Sequence, residues 1–122
     1  MTAMKVLVVD GNQNITQVLS SLLGLFGHAA DEASEGREAI RKIQLGRFDI
    51  VITDSEIISI DGPEICKFIK SHFQNIYVIG MSGYLSALKD LADAGADFCL
   101  AKPFCLNELK KAIDHRCSSN QS

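Results

Sequence analysis

The chain alternates two kinds of hydrophobic pattern. Short unbroken apolar runs occur at Lys5–Asp10, Asp49–Asp54, Ile76–Met81 and Asp97–Ala101, with a weaker one at Ala29–Ala33. They are rich in Val and Ile and apolar at consecutive positions, the signature of strands buried on both faces of a parallel sheet. Between them, apolar residues recur at spacings of three and four, which marks one face of a helix. Ile15, Val18, Leu19, Leu22, Leu23 and Phe26 form the first such stripe, with Asn12 or Asn14 available as a cap and Gly27 in the position of a C-terminal glycine. Ala39, Ile40 and Ile43, stopped by Gly46, form the second. Ile65, Phe68 and Ile69 form the third, entered through Asp61-Gly62-Pro63. Leu85, Leu88, Leu91 and Ala92, ended by Gly95, form the fourth, and Leu106, Leu109, Ala112 and Ile113, after Pro103, the fifth.

Five strands alternating with five helices predict an α/β fold, a doubly wound parallel sheet. Right-handed crossovers then put helices on both faces of the sheet. Ligands of such sheets bind beyond the carboxyl ends of the strands, near the point where strand order reverses. With 122 residues the chain is expected to be a single domain, its core spanning about 5–115 and a frayed polar tail occupying 116–122.

Composition narrows the function. Hydrophobic residues at 47%, charged residues at 22% and two prolines argue against disorder. A net charge of −3 argues against a bare nucleic-acid-binding surface. No apolar run approaches the ~20 residues that span a bilayer, and the N-terminus lacks the arrangement of a signal peptide. A cytoplasmic protein, with no membrane contact, is expected. Cys66, Cys99, Cys105 and Cys117 have neither CxxC spacing nor a neighbouring His in a zinc pattern, so they read as reduced packing residues. A redox role for Cys99 and Cys105 is the lesser alternative.

The chemistry lies at the strand ends. The first strand ends in Asp10 and the third in Asp54, followed by Ser55 and Glu56 on the same exposed rim. Ser82 follows the fourth strand and Lys102 the fifth. Singly, each has an ordinary reading: an Asp as a helix cap or turn former, Ser82 as a cap, Lys102 as a solvated lysine before a helix-starting proline. Together they put two carboxylates, a hydroxyl and an ammonium around one point. A carboxylate can attack a phosphoryl group to give an acyl phosphate. The developing charge calls for a divalent cation, a lysine and a hydrogen-bond donor. Mg²⁺ suits one or two carboxylates with waters and phosphate oxygens.

These residues resemble the receiver domain of two-component response regulators. The resemblance runs from about Lys5 to Ala112 through Val6-Leu7-Val8-Val9-Asp10, Phe48-Asp49-Ile50-Val51-Ile52-Thr53-Asp54, Asp61-Gly62, Ser82-Gly83, Ala94-Gly95-Ala96-Asp97 and Lys102-Pro103-Phe104. It implies a flavodoxin-like sheet of order 2-1-3-4-5. It also implies that Asp54 is the phosphoacceptor for a histidine kinase or phosphotransfer protein, Ser82 the switch hydroxyl and Lys102 the lysine that contacts the phosphoryl group. Pro103 is then expected in a cis peptide. Mg²⁺ would be held by Asp10, Asp54 and the Glu56 backbone carbonyl. Output to a downstream protein or domain would come from the fourth helix, fifth strand and fifth helix, the face through which the family also tends to form homodimers.

Three positions depart from the family pattern. Gly11 replaces the second of two adjacent acids, normally the direct metal ligand, which predicts weak Mg²⁺ binding and slow or absent phosphorylation. Glu56 is the one nearby carboxylate that either compensates or points away. Ile58 replaces the usual proline, leaving the Ser55–Ile60 loop more apolar and less rigid. Cys99 stands in the place of the aromatic switch residue, and Phe98 beside it points to the opposite face of the strand. Tyr84 is either part of a partner surface or a surface aromatic without a role. The alternatives are a pseudo-receiver that binds protein without phosphorylation and a cofactor binder on the same fold. The second is disfavoured by a first turn, Asp10-Gly11-Asn12-Gln13-Asn14, that is a poor phosphate cradle.

Overall fold

A computed structural model describes residues 3–119, and of 117–119 only the helical backbone. The elements are β1 (Lys5–Val9), α1 (Gln13–Leu25), β2 (Ala29–Ala33), α2 (Gly36–Leu45), β3 (Ile50–Asp54), α3 (Gly62–His72), β4 (Tyr77–Ser82), α4 (Leu85–Asp93), β5 (Phe98–Ala101) and α5 (Leu106–Ser119). The five strands form one parallel sheet in the order β2-β1-β3-β4-β5. The strand order and the alternation of elements match the sequence reading.

The period of two along each strand sorts side chains between two helical layers. Leu7, Val9, Val51 and Val78 pack against Ala39, Ile43, Ile65, Ile69 and Leu91 of α2, α3 and α4. Val6, Val8, Ile50, Ile52, Ile79, Met81 and Leu100 pack against Leu19, Leu23, Leu109 and Ile113 of α1 and α5. Full burial of each such side chain stabilises the fold by about 1.5–3 kcal/mol. The sheet is therefore clamped from both sides, and its strand ends form a fixed rim.

Local chemistry sets the helix starts. Asn12 is the α1 cap, its Oδ1 accepting the Asn14 N–H at 2.9 Å. Glu35 caps α2 and Asp61 caps α3, with Pro63 in the first turn of α3. Gly27 ends α1 with φ +89°, a left-handed conformation that glycine adopts without a Cβ penalty.

Three details differ from the sequence reading. Asp10, Asp49, Ile76 and Asp97 flank their strands instead of belonging to them, whereas β4 continues through Ser82. Val18, Leu85 and Ala92 are exposed although they fit the helical stripes, because Leu19, Leu23 and Leu91 already fill the inward positions. The helical backbone of α5 runs to Ser119, beyond the Ile113 end of the fifth stripe. Residues 120–122, and the Cys117 side chain, lie outside the described residues.

Candidate functional site

Strand register brings the polar ends together. Val9 lies opposite Thr53, Asp54 opposite Met81 and Ser82 opposite Ala101. Asp10, Asp54, Ser82 and Lys102 therefore leave four neighbouring strands at the same level. Lys102 Nζ bridges the two acids, 2.7 Å from Asp10 Oδ2 and 3.2 Å from Asp54 Oδ1. The Lys102–Pro103 peptide is cis, as the resemblance implied.

The two carboxylates have different surroundings. The Asp10 side chain is 4% exposed, and its Oδ1 accepts the Asn12 N–H at 2.9 Å. It thus forms the first turn, the ordinary role for such an Asp, and binds Lys102 as well. The Asp54 side chain is 17% exposed and more open. Burial raises the Asp54 carboxyl above its ordinary range, the attraction of Lys102 opposes this, and the charge of Asp10 adds to the rise. Burial pulls the Lys102 ammonium down, but the hydrogen bond to Asp10 and the charges of Asp54 and Asp10 outweigh it and hold the ammonium above its ordinary range.

Ser82 is buried at the same rim. Its Oγ is hydrogen-bonded to Ser55 Oγ at 3.1 Å and accepts the Tyr84 N–H at 3.2 Å. Ser55 is therefore not on an exposed rim, as the sequence suggested, but buried with its backbone extending the β3–β4 ladder to Met81. Reading the alternation of β3 one residue further would have found it, since Ser55 follows buried Thr53 by two.

Gly62 allows this arrangement. A Cβ there would lie 2.3 Å from the Asp54 carbonyl oxygen and 2.8 Å from Ser55 Cα, so α3 can close against the strand end only with a glycine. The Asp61-Gly62 pair was visible in the sequence, but not this reason for it.

The Ser55–Ile60 loop is tied down, contrary to the expectation from Ile58. The Gly36 N–H donates to the Ile58 carbonyl at 2.9 Å, and Ser59 Oγ donates to the Glu35 carboxylate and accepts the Arg37 N–H. Ile57 is buried beneath it while Ile58 is exposed. Glu35 and Ser59, which fasten the loop to the start of α2, have no signature in the sequence because they lie far apart along it.

Glu56 is exposed and lines an open depression of about 310 Å³ with Asp61, Pro63, Tyr84, Ser86 and Asp90. Among the described residues, no three Asp, Glu, His or Cys side chains come close enough to hold a metal ion. The Glu56 side chain thus lies with Asp61 and Asp90 around that depression and is not gathered with Asp10 and Asp54. Asp10 and Asp54 still offer hard oxygen donors at one point, a set that fits Mg²⁺ with one acid fewer. On β5, Cys99 packs toward α4, its Sγ 3.6 Å from the Leu88 carbonyl oxygen, and Phe98 faces α5 on the other side. Burial raises the Cys99 thiol, and it pushes Cys66 up to about 12, so neither has thiolate character at neutral pH.

Comparison with known proteins agrees with this arrangement. The model of the response regulator receiver domain matches residues 6–114. The chain is 32% identical over 111 residues to Sporulation initiation phosphotransferase F of Bacillus subtilis, covering 89% of this chain and 90% of that protein. It is 34% identical over 107 residues to Response regulator MprA of Mycolicibacterium vanbaalenii, covering 86% of this chain but spanning only 46% of that relative's length. The response regulator TrrA of Thermotoga maritima, solved in complex with Mg²⁺ and BeF, superposes with a TM-score of 0.86 at 32% identity, covering 93% of this chain and 98% of that one. The chemotaxis response regulator CheY4 of Vibrio cholerae also gives 0.86, at 29% identity, covering 94% and 99%. Among the described residues, no helix is long and apolar enough to cross a membrane. From the strand order, the motif spacing and the family match, the chain belongs to the response regulator receiver domain family.

Proposed function

We propose that Asp54 accepts a phosphoryl group from the phosphohistidine of a histidine kinase or phosphotransfer protein. The observation that carries this reading is the Lys102 ammonium held between Asp10 and Asp54. An Asp54 oxygen forms a bond to phosphorus while the donor's P–N bond breaks, its electron pair staying on the imidazole. Asp54 is the more open of the two carboxylates, which leaves its oxygens accessible to a phosphodonor. Lys102 then neutralises a phosphoryl oxygen and the Ser82 O–H donates to another. Asp10, Asp54 and the Glu56 carbonyl are the residues that would hold Mg²⁺, which supplies further positive charge to the phosphoryl oxygens. With Gly11 in place of an acid, that ion is weakly bound.

The phosphorylated rim biases the face of α4, β5 and α5 between two states read by a downstream protein or domain. The setting is cytoplasmic, without nucleic acid or membrane contact by this domain. The solved Mg²⁺ and BeF complex of TrrA supports the same chemistry for this rim.

The test is incubation with Mg²⁺ and a small phosphodonor, followed by intact mass spectrometry. A phosphoryl adduct that Asp54→Ala abolishes is the expected result. Absence of the adduct, together with no binding of beryllofluoride, would identify a phosphorylation-independent binding module instead.

A further inference from the structure

Ser55 is used by none of the steps above, yet it is one of the few buried polar side chains in the fold. Its backbone is fixed on both sides. The Ser55 N–H donates to the Met81 carbonyl and its carbonyl accepts the Gly62 N–H, both at 3.0 Å. Its hydroxyl is 3.1 Å from Ser82 Oγ, and that oxygen also accepts the Tyr84 N–H at 3.2 Å.

A serine hydroxyl has two acceptor lone pairs and one proton. With Ser55 O–H and Tyr84 N–H both donating to Ser82 Oγ, the two lone pairs are occupied. The Ser82 proton is then the only valence left for a new partner. Donation in the direction Ser55 to Ser82 uses the Ser55 proton and leaves the Ser82 proton without an acceptor among the described residues. The Ser55 bond comes from the residue next to Asp54, which ties the rotation of the Ser82 hydroxyl to the backbone that carries the reacting carboxylate.

We propose that Ser55 is a positioning residue for phosphoryl transfer: its hydroxyl presets the Ser82 proton for donation to the phosphoryl group on Asp54. This rests on the reading of Asp54 as the acceptor. The preset removes the need to reorient a buried hydroxyl as charge develops, so it acts on the maximal rate and not on binding of the phosphodonor.

The experiment measures the rate of Asp54 adduct formation against small-phosphodonor concentration for the wild type, Ser55→Ala, Ser55→Cys, Ser82→Ala and the double variant Ser55→Ala/Ser82→Ala. Cysteine fills the site with a slightly larger, weakly donating group where alanine leaves it short, so a loss shared by both variants is not a packing defect of one kind. Thermal melts of each variant accompany the rates. Ser55→Ala and Ser55→Cys are expected to lower the maximal rate about fivefold, roughly 1 kcal/mol, with the half-saturating donor concentration unchanged. The double variant is expected to be no slower than Ser82→Ala, because Ser55 acts through Ser82. If the wild type forms no Asp54 adduct, the acceptor reading fails and the proposal falls with it. If the wild type does and the Ser55 variants match it, exceed it, or add their full loss to that of Ser82→Ala, the Ser55 proposal alone is overturned.

Discussion

Asp10 and Asp54 end neighbouring strands at the same level, and they have been given different work. Asp10 is almost wholly enclosed, with one oxygen bound by the Asn12 amide and the other by Lys102. Asp54 is more open, meets Lys102 at a longer distance and has its carboxyl raised by burial. The turn after Asp10 has room to spare, since a Cβ on Gly11 would meet only the Ser34 carbonyl oxygen at 3.8 Å. The turn after Asp54 has none, because Gly62 packs directly on it. The half of the rim suited to phosphoryl chemistry is tightly specified, and the half suited to metal binding is incomplete but unobstructed.

The largest effect expected is on the link between the halves. Lys102→Ala leaves two carboxylates facing each other without a countercharge. Adduct formation, followed by mass spectrometry, is expected to slow by about 100-fold or more, some 2.7 kcal/mol of barrier. Next comes the contrast in packing. Gly62→Ala is expected to lower unfolding stability by about 2–3 kcal/mol in urea titration, whereas Gly11→Ala should stay within about 0.5 kcal/mol of the wild type. Equal losses would erase the distinction between a packed and an open turn.

Gly11→Asp sharpens the same contrast from the metal side. An added unit charge about 4 Å from a divalent cation is worth on the order of 2–8 kcal/mol before desolvation and salt screening reduce it. Mg²⁺ affinity, read by titration, is therefore expected to rise about tenfold. The smallest effect concerns stability against pH. Because folding raises the Asp54 carboxyl, the folded state penalises its ionised form. That penalty is absent below the unfolded value of 3.8, grows as pH rises through the folded value and is complete at neutral pH. Asp54→Asn should raise Tm at neutral pH, and the gain should vanish on acidification below 3.8.

The fold was legible because its signals are local. Unbroken apolar runs marked strands buried on both faces, and Gly27, Gly46 and Pro63 punctuated the helices where expected. Asp10, Asp54, Ser82 and Lys102 were legible because strand ends share one edge in a parallel sheet. What escaped the sequence depends on contacts between distant segments. Ser55 meets Ser82 across 27 positions, and Ser59 meets Glu35 across 24. The stripe residues Val18 and Leu85 misled for a related reason: period alone marks a helix face but does not say how much of it the sheet covers.

The open space at Gly11 has a consequence for how this rim can change through descent. Glycine codons ending in a pyrimidine lie one base transition from aspartate, and the first atom of the new side chain would meet only the Ser34 carbonyl oxygen at 3.8 Å. The backbone around Gly11 therefore has room for the start of a side chain. What an acid at this position would change first is the charge of the rim, which already holds Asp10 and Asp54.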